Sequence, residues 1–542
     1  MRSSLLSLLP LLAVAAAPAP SFDAGRVSQD VRTLASDAFE GRGPATPGEE
    51  KAIAYIARQM AAAGLQPGGP LVNGKRGWFQ VVPLLRSAIT GSPQVSIGGE
   101  ALTQAQQIAI RAPLNGQKQV NIADAPLVFV GYGVHAPERQ WDDFKGVDLH
   151  GKIAVILIND PDFETGQGDF GGKAMTYYGR WTYKYEEAAR QGAAGVLIVH
   201  EFAPASYGWA TVANSNTNPQ FDIVRQDPAA AHTAMEAWIT RDEALKLFQQ
   251  SGLDFAAEKK KAQSRDFRPV PLKPTLTAHY AADASVIRSH NVLGILPGTT
   301  RPNQTVIYSA HWDHLGVGKP DARGDTIYNG ALDNASGIAA LLEMGRAYAH
   351  APRTQRSVLF LAVTAEEKGL LGSEYYAQNP VYPLATTAGV FNMDGPFGSG
   401  ASHDFTISGS ARLGLLDMLQ AEAAKQGRHY TPDPHPEAGS FYRSDHFSFA
   451  KQGVPAVSYD QGQDLLNGGT ARGQALYEEY VRDHYHQPSD EWSPNWDLSA
   501  VPQVMGLLYQ TGRDLADSSA WPNWSQDSEF RGTRDKTAAE RK

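Results

Sequence analysis

Five positions in the second half of the chain carry residue types that hold divalent cations: His311, Asp333, Glu367, Asp394 and His486. The first lies in Tyr308-Ser-Ala-His311-Trp-Asp313-His314-Leu-Gly316, where a β-branched and aromatic run from Thr305 ends in two histidines and an aspartate. His311 and Asp313 are spaced as a ligand and the partner that orients it. Each remaining position also has an ordinary structural reading. Asp333 or Asn334 would cap a helix, Glu366-Glu367 would form a solvated face, and Asp394 would serve a turn before Gly395-Pro396. Taken jointly these readings fail, because an open α/β sheet gathers neighbouring strand ends into one crevice. Carboxylates crowded there without a cation cost repulsion and desolvation. A donor set of imidazole and carboxylate without sulfur suits catalytic zinc. Five donors exceed one tetrahedral ion but fit two, ~3.5–4 Å apart, when one carboxylate bridges them.

The elements that must position these residues follow from periodicity. Strands are expected to end near Leu296, Ala310, Val363, Met393 and Tyr459, with helices over 334–350, 372–378 and 411–427 between them. The run Ser357–Val363 is apolar throughout, as a central strand is, and Glu366-Glu367 follow it directly. Asp333 precedes a helix whose Ile338, Leu341 and Leu342 form one apolar stripe. Strands alternating with helices predict an α/β three-layer sandwich around a mostly parallel sheet. Upstream, residues 28–64 read as two helices divided by the turn-rich 40–48. From about residue 80 the pattern turns to short strands, and residues 101–285 read as a β-rich insert. Its glycines are loop glycines rather than a phosphate cradle, since no Lys-Ser/Thr follows them. Past Trp521 the chain is polar and reads as a disordered tail.

Composition sets outer bounds. A chain of 542 residues needs two or three domains. A net charge of −9 argues against a nucleic-acid partner. Arg2, the apolar Leu5–Ala16 and the small residues Ala15–Ala17 and Ala19 form a secretory leader, expected over 1–19. That apolar run is shorter than the ~20 residues a membrane span needs, so no stable membrane insertion is expected once the leader is removed. There is no cysteine, which excludes disulfides, thiolate metal sites and a cysteine nucleophile.

At this level the sequence resembles the secreted dizinc aminopeptidases related to glutamate carboxypeptidase and the transferrin receptor. The resemblance rests on His311-Trp-Asp313, Leu332-Asp-Asn-Ala-Ser-Gly337, Thr364-Ala-Glu-Glu367, Asn392-Met-Asp394, Ser444-Asp-His-Phe-Ser-Phe449 with Gly453-Val-Pro-Ala456, and Tyr485-His-Gln-Pro-Ser-Asp490. Leu34-Ala-Ser-Asp-x-Phe-Glu-Gly-Arg42 adds to it. It implies two zinc ions: His311 and Glu367 each hold one, Asp394 and His486 complete the two sites, and Asp333 bridges. It also implies that Asp313 orients His311 and that Glu366 is the general base. Tyr442 is the candidate oxyanion contact, at an offset unlike that of some members, and Gln487 stands where threonine is commoner. The implied organisation is a leader (1–19), the start of the peptidase domain (20–100), a protease-associated-like insert (101–285), the catalytic domain (286–518) and a polar tail (519–542). The implied activity is an exported aminopeptidase, periplasmic or extracellular, acting on peptides. A carboxypeptidase of the glutamate carboxypeptidase type, a one-zinc glutaminyl cyclase and a non-catalytic receptor-like member are the alternatives.

Overall fold

A computed structural model describes residues 21–541; the expected leader lies outside them. Helix α1 (Ala24–Leu34) starts where the Asp23 side chain accepts from Arg26 N, and it buries Val27, Val31 and Leu34. Helix α2 (Pro47–Ala62) opens with Thr46 as N-cap and Pro47 in its first turn, where a missing N–H costs nothing. Its Ile53, Ile56, Ala57 and Met60 recur at helical spacing and are buried. Gly64, at φ 90°, ends it. A tight turn, Asp37–Arg42, joins the two helices.

The next region departs from the expected short strands. Strand β1 (Phe79–Ile97) runs for 19 residues, and Gln119–Phe129 forms β2. Three apolar strands, β3 (Ile153–Leu157), β4 (Gly195–Val199) and β5 (Met235–Ile239), continue from β2 as a parallel set. Strand β6 (Val270–Leu296) is 27 residues long. It passes unbroken through residue 285, pairing with β2 at its start and along most of its length with β1. Its last residues, Val292–Leu296, pair antiparallel with the strand Arg356–Val363. Alternation along β1 is loose, with half-buried and exposed residues interspersed, so its length could not be read from a period.

The main parallel sheet is built as the apolar runs predict. Strands β7 (Arg301–His311), β8 (Arg356–Val363) and β9 (Thr387–Met393) are parallel in the order β8–β7–β9. Strand β10 (Asp404–Ile407) lies antiparallel outside β11 (Ala456–Gln461), which continues the parallel set after β9. All eight residues of β8 and all seven of β9 are buried, as strands covered on both faces must be. Helix α3 (Ser336–His350) buries Ile338, Leu341, Leu342, Met344 and Tyr348 against one face, with α1 and α2 beside it. Each such side chain contributes ~1.5–3 kcal/mol of transfer free energy. Helix α4 (Leu371–Gln378) places Tyr376 on the opposite face with Phe449. The three-layer α/β sandwich with a mostly parallel sheet is thus present.

The expected disordered tail is a correction. Trp524 and Phe530 are buried, Trp524 Nε1 donates to Gly453 O at 3.0 Å, and Arg534 Nη2 donates to Thr387 O at 2.9 Å. The guanidinium groups of Arg356 and Arg534 both stand over the Trp521 ring, at 4.5 and 5.8 Å from its centroid. Three widely spaced aromatics anchor a segment whose average composition is polar.

An ion network joins residues 101–285 to α4. Arg225 donates to both oxygens of Asp222 at 2.7 and 2.8 Å and to Glu374 at 3.0 Å. His232 stands between Asp222 (2.9 Å) and Glu236 (2.8 Å). Burial disfavours its charge, but the Glu236 and Asp222 carboxylates outweigh that and lift it to about 9. A raised folded-state pKa gives stability that is complete below the unfolded value near 6.5 and lost as pH rises through about 9. The chain is therefore expected to lose up to ~3 kcal/mol from this group between pH 6.5 and 9.5. Urea midpoints against pH should show a smaller fall over that window in His232→Gln.

Candidate metal centre

Strands β8, β7, β9 and β11 end along one edge, and the candidate ligands lie just beyond three of them. His311 is the last residue of β7. Glu366 and Glu367 follow β8 after Ala365, whose φ of 53° turns the chain. Asp394 follows β9 directly. Asp333 lies on the turn Ala331–Ala335 that leads into α3. His486, at φ 58°, follows helix α5 (Gly469–Asp483).

The structure brings all five together. His311 Nε2 lies 3.2 Å from Asp333 Oδ1 and 3.3 Å from Asp394 Oδ1. His486 Nε2 lies 3.2 Å from Asp333 Oδ2 and 3.1 Å from Glu367 Oε2. Each oxygen of Asp333 therefore faces a different histidine. Two donors at Zn–N and Zn–O distances from one tetrahedral ion stand roughly 3.3–3.4 Å apart, close to these separations. The spacing fits two zinc ions: His311, Asp333 and Asp394 form one group, and Asp333 and Glu367 form a second with His314 on one side and His486 on the other.

Bonds outside the donor set hold it in place. Asp490 accepts from Leu332 N at 3.0 Å and Asp333 N at 3.1 Å, which fixes the Asp333 turn. Asn392 accepts from Ser309 Oγ and donates to Ser444 Oγ, which donates to Asp394 Oδ2 at 2.6 Å. Asp313 departs from its expected place. It is the backbone carbonyl of Asp313 that faces His311 Nδ1, at 3.1 Å, while its carboxylate is 3.9 Å away. That carboxylate accepts from Glu366 N (3.0 Å) and Glu367 N (3.4 Å). It orders the two glutamates, and the His-x-Asp spacing orients His311 through the main chain.

Two residues that the sequence reading passed over stand at the site. His314 is fully buried, with Nδ1 2.6 Å from Glu367 Oε1, off the line of a hydrogen bond. It meets the glutamate oxygen turned away from His486. Tyr485 stacks on His486 with ring centroids 3.9 Å apart and lines the cleft. It is 45% exposed, and a phenol is a hydrogen-bond donor at neutral pH. Adjacency to His486 in sequence was the available signal. Tyr442 is a correction. Its ring packs with Tyr177, Phe441 and Phe447, and its hydroxyl lies 3.2 Å from Glu529, away from the residues lining the cleft.

Charge at the site is finely divided. Burial opposes the Asp333 carboxylate, yet His311 and His486 hold its pKa well below the ordinary range. Burial pushes Glu366 well above the carboxylate range; His311 opposes this, and Glu367 and Asp394 add to it. Glu366 therefore takes up a proton readily. The site opens onto a cleft of about 870 Å³ whose walls include Glu366, Asp433, Asp460, Glu479, Glu491 and Arg443.

The fold and the site define a class: an open α/β sheet with a cluster of histidine and carboxylate donors suited to metal, and Glu366 beside them, at its carboxyl edge. Residues 291–506 match the model of peptidase family M28, and they contain all five donors and Glu366. Over 103 residues the chain is 33% identical to a probable zinc metalloprotease of Pyrenophora teres f. teres (strain 0-1), covering 19% of this chain and 22% of that one. Over 112 residues it is 34% identical to aminopeptidase NAALADL1 of Mus musculus, covering 20% and 13%. A solved aminopeptidase from Aneurinibacillus sp. strain AM-1 is 22% identical, with a TM-score of 0.47, covering 90% of this chain and 94% of that one. The chain spans less than a quarter of the length of either curated relative.

Proposed function

We propose that the protein is an exported zinc aminopeptidase that binds two ions and removes N-terminal residues from peptides. The observation that carries this reading is the pair of donor groups sharing Asp333, the second completed by His486 at 3.2 Å from Asp333 and 3.1 Å from Glu367, with Glu366 beside them on the cleft wall. His311 and Asp394 would hold one ion, Glu367 and His486 the other, and Asp333 both. Bound zinc supplies Lewis acidity, polarising the scissile carbonyl and acidifying water. Glu366 accepts the proton of the attacking water and returns it to the leaving amine. Tyr485 donates a hydrogen bond toward the carbonyl oxygen as charge develops there. Asp313 keeps Glu366 and Glu367 in register through their N–H groups.

The charge of the cleft favours an amino terminus over a carboxyl terminus. Asp433, Asp460, Glu479 and Glu491 line its walls, against one guanidinium, that of Arg443. Capture of a C-terminal carboxylate calls for a cationic fork, and Arg443 is the sole candidate among the described lining residues. In the same reading, residues 101–285 are a protease-associated-like accessory domain. They line none of the cleft, but Met175 N donates to Pro436 O at 3.1 Å, bracing the 433–443 wall from behind. Among the described residues no helix is long and apolar enough to cross a membrane.

Metal analysis of the purified protein is expected to give about two zinc ions per chain; one favours the cyclase alternative, and none sinks the metal reading. A panel of aminoacyl p-nitroanilides against dipeptides with acidic C-termini should show turnover of the former only. Preference for the acidic dipeptides would replace the aminopeptidase by the carboxypeptidase.

A further inference from the structure

Arg42 lies far from every candidate ligand in sequence, yet its side chain ends beneath the site. It is 1% exposed. Nε donates to Trp312 O at 2.8 Å, Nη1 to Leu34 O at 2.8 Å and Asn329 O at 2.6 Å, and Nη2 to Gly330 O at 2.8 Å. Trp312 separates His311 from Asp313, and Gly330 immediately precedes the turn that carries Asp333. One planar group thus ties the loop after β7 to the loop before α3.

The backbone is shaped to deliver it. Glu40, Gly41 and Arg42 are all left-handed, at φ 51°, 63° and 50°. A Cβ on Gly41 would come within 2.5 Å of Gly316 O and Tyr328 O, so only glycine lets the turn seat against this loop. Asn329 Nδ2 donates back to Ala35 O at 2.8 Å, and His314 N to Arg42 O at 3.3 Å. The guanidinium makes no contact with a carboxylate. Burial lowers it to about 10, opposed by Asp490, Asp333, Asp313 and Glu367. It remains a cation facing an acidic site.

We propose that Arg42 is a positioning residue of the two-metal site, clamping the two ligand-bearing loops at the separation that zinc requires. This rests on the dizinc reading above. A fork that satisfies four carbonyls cannot be replaced by the compact ammonium of lysine, so charge and clamp are separable. Outer groups that orient ligands are worth about 10–100-fold in metal affinity. Arg42→Lys and Arg42→Met are both expected to weaken zinc binding by at least about tenfold in competition with a chelator of known affinity. Raising free zinc should restore part of the activity in each. Wild-type affinity in Arg42→Lys would reduce the role to charge and overturn the clamp; wild-type affinity in Arg42→Met would overturn both.

Should neither variant fold, hydrogen exchange on the wild-type protein decides. Linkage is reciprocal, so adding zinc to the metal-stripped chain must slow exchange over 35–45 as well as over 311–336. Slowing confined to 311–336 would overturn the clamp while leaving the zinc site intact. Slowing in neither stretch would overturn the zinc site and the clamp with it.

Discussion

Glu366→Gln is expected to lower kcat by about 10²–10⁴-fold, equivalent to ~3–5 kcal/mol of barrier, with two zinc ions still bound. An amide has the size of the carboxylate but cannot accept the proton of the attacking water. The glutamine should sit where the glutamate sits, because Asp313 fixes residue 366 through its backbone N–H rather than its side chain. No contact to the two donor groups is lost, since their atoms come from the other five residues. Removing one charge from the crowded set with Glu367 and Asp394 should leave stability unchanged or raise it, as burial already pushes the Glu366 carboxyl upward. Kinetics on an aminoacyl p-nitroanilide beside zinc content checks the claim. A rate within about tenfold of wild type would take the base role from Glu366. Loss of zinc would instead show that the carboxylate is a ligand.

The sequence was most legible where one physical requirement governed a whole run. Apolar β8 and β9 had to be central strands, and a donor set at neighbouring strand ends had to meet in space. Roles set by local angles were less legible. His-x-Asp spacing gave the partnership of His311 and Asp313 but not which atom of Asp313 takes part, because carbonyl and carboxylate stand in the same loop. His314 belongs to no ligand spacing that the sequence shows, yet the turn after β7 buries it against Glu367. Tyr442 shares its segment with Ser444, which reaches Asp394. The short helix Ser440–Tyr442 turns the tyrosine ring into an aromatic cluster behind the cleft. The tail misled for a different reason. Average polarity describes a segment's exposed face, whereas its docking depends on Trp521, Trp524 and Phe530, three side chains that an average hides.

Asp333→Ala is expected to cost more metal than any other single ligand change, taking zinc from about two ions per chain to below one. Its two oxygens face two histidines, so its loss takes one donor from each group at once, which no other single ligand change does. His486→Ala leaves His311, Asp333 and Asp394 together and should retain about one ion. The contrast isolates bridging from a general loss of negative charge, because Asp394→Ala removes the same charge and should spare the Glu367–His486 group. Hydrolysis should fall by at least about 10³-fold in Asp333→Ala, ~4 kcal/mol of barrier, since it removes both sources of Lewis acidity. The fold should survive, as the Asp333 turn is held through its N–H groups by Asp490 and through Asn334, whose side chain donates to Met393 O and accepts from Gly337 N and Gly395 N. Zinc titrations of the three variants test this ordering. Equal retention of about one ion by Asp333→Ala and His486→Ala would mean that Asp333 serves a single ion.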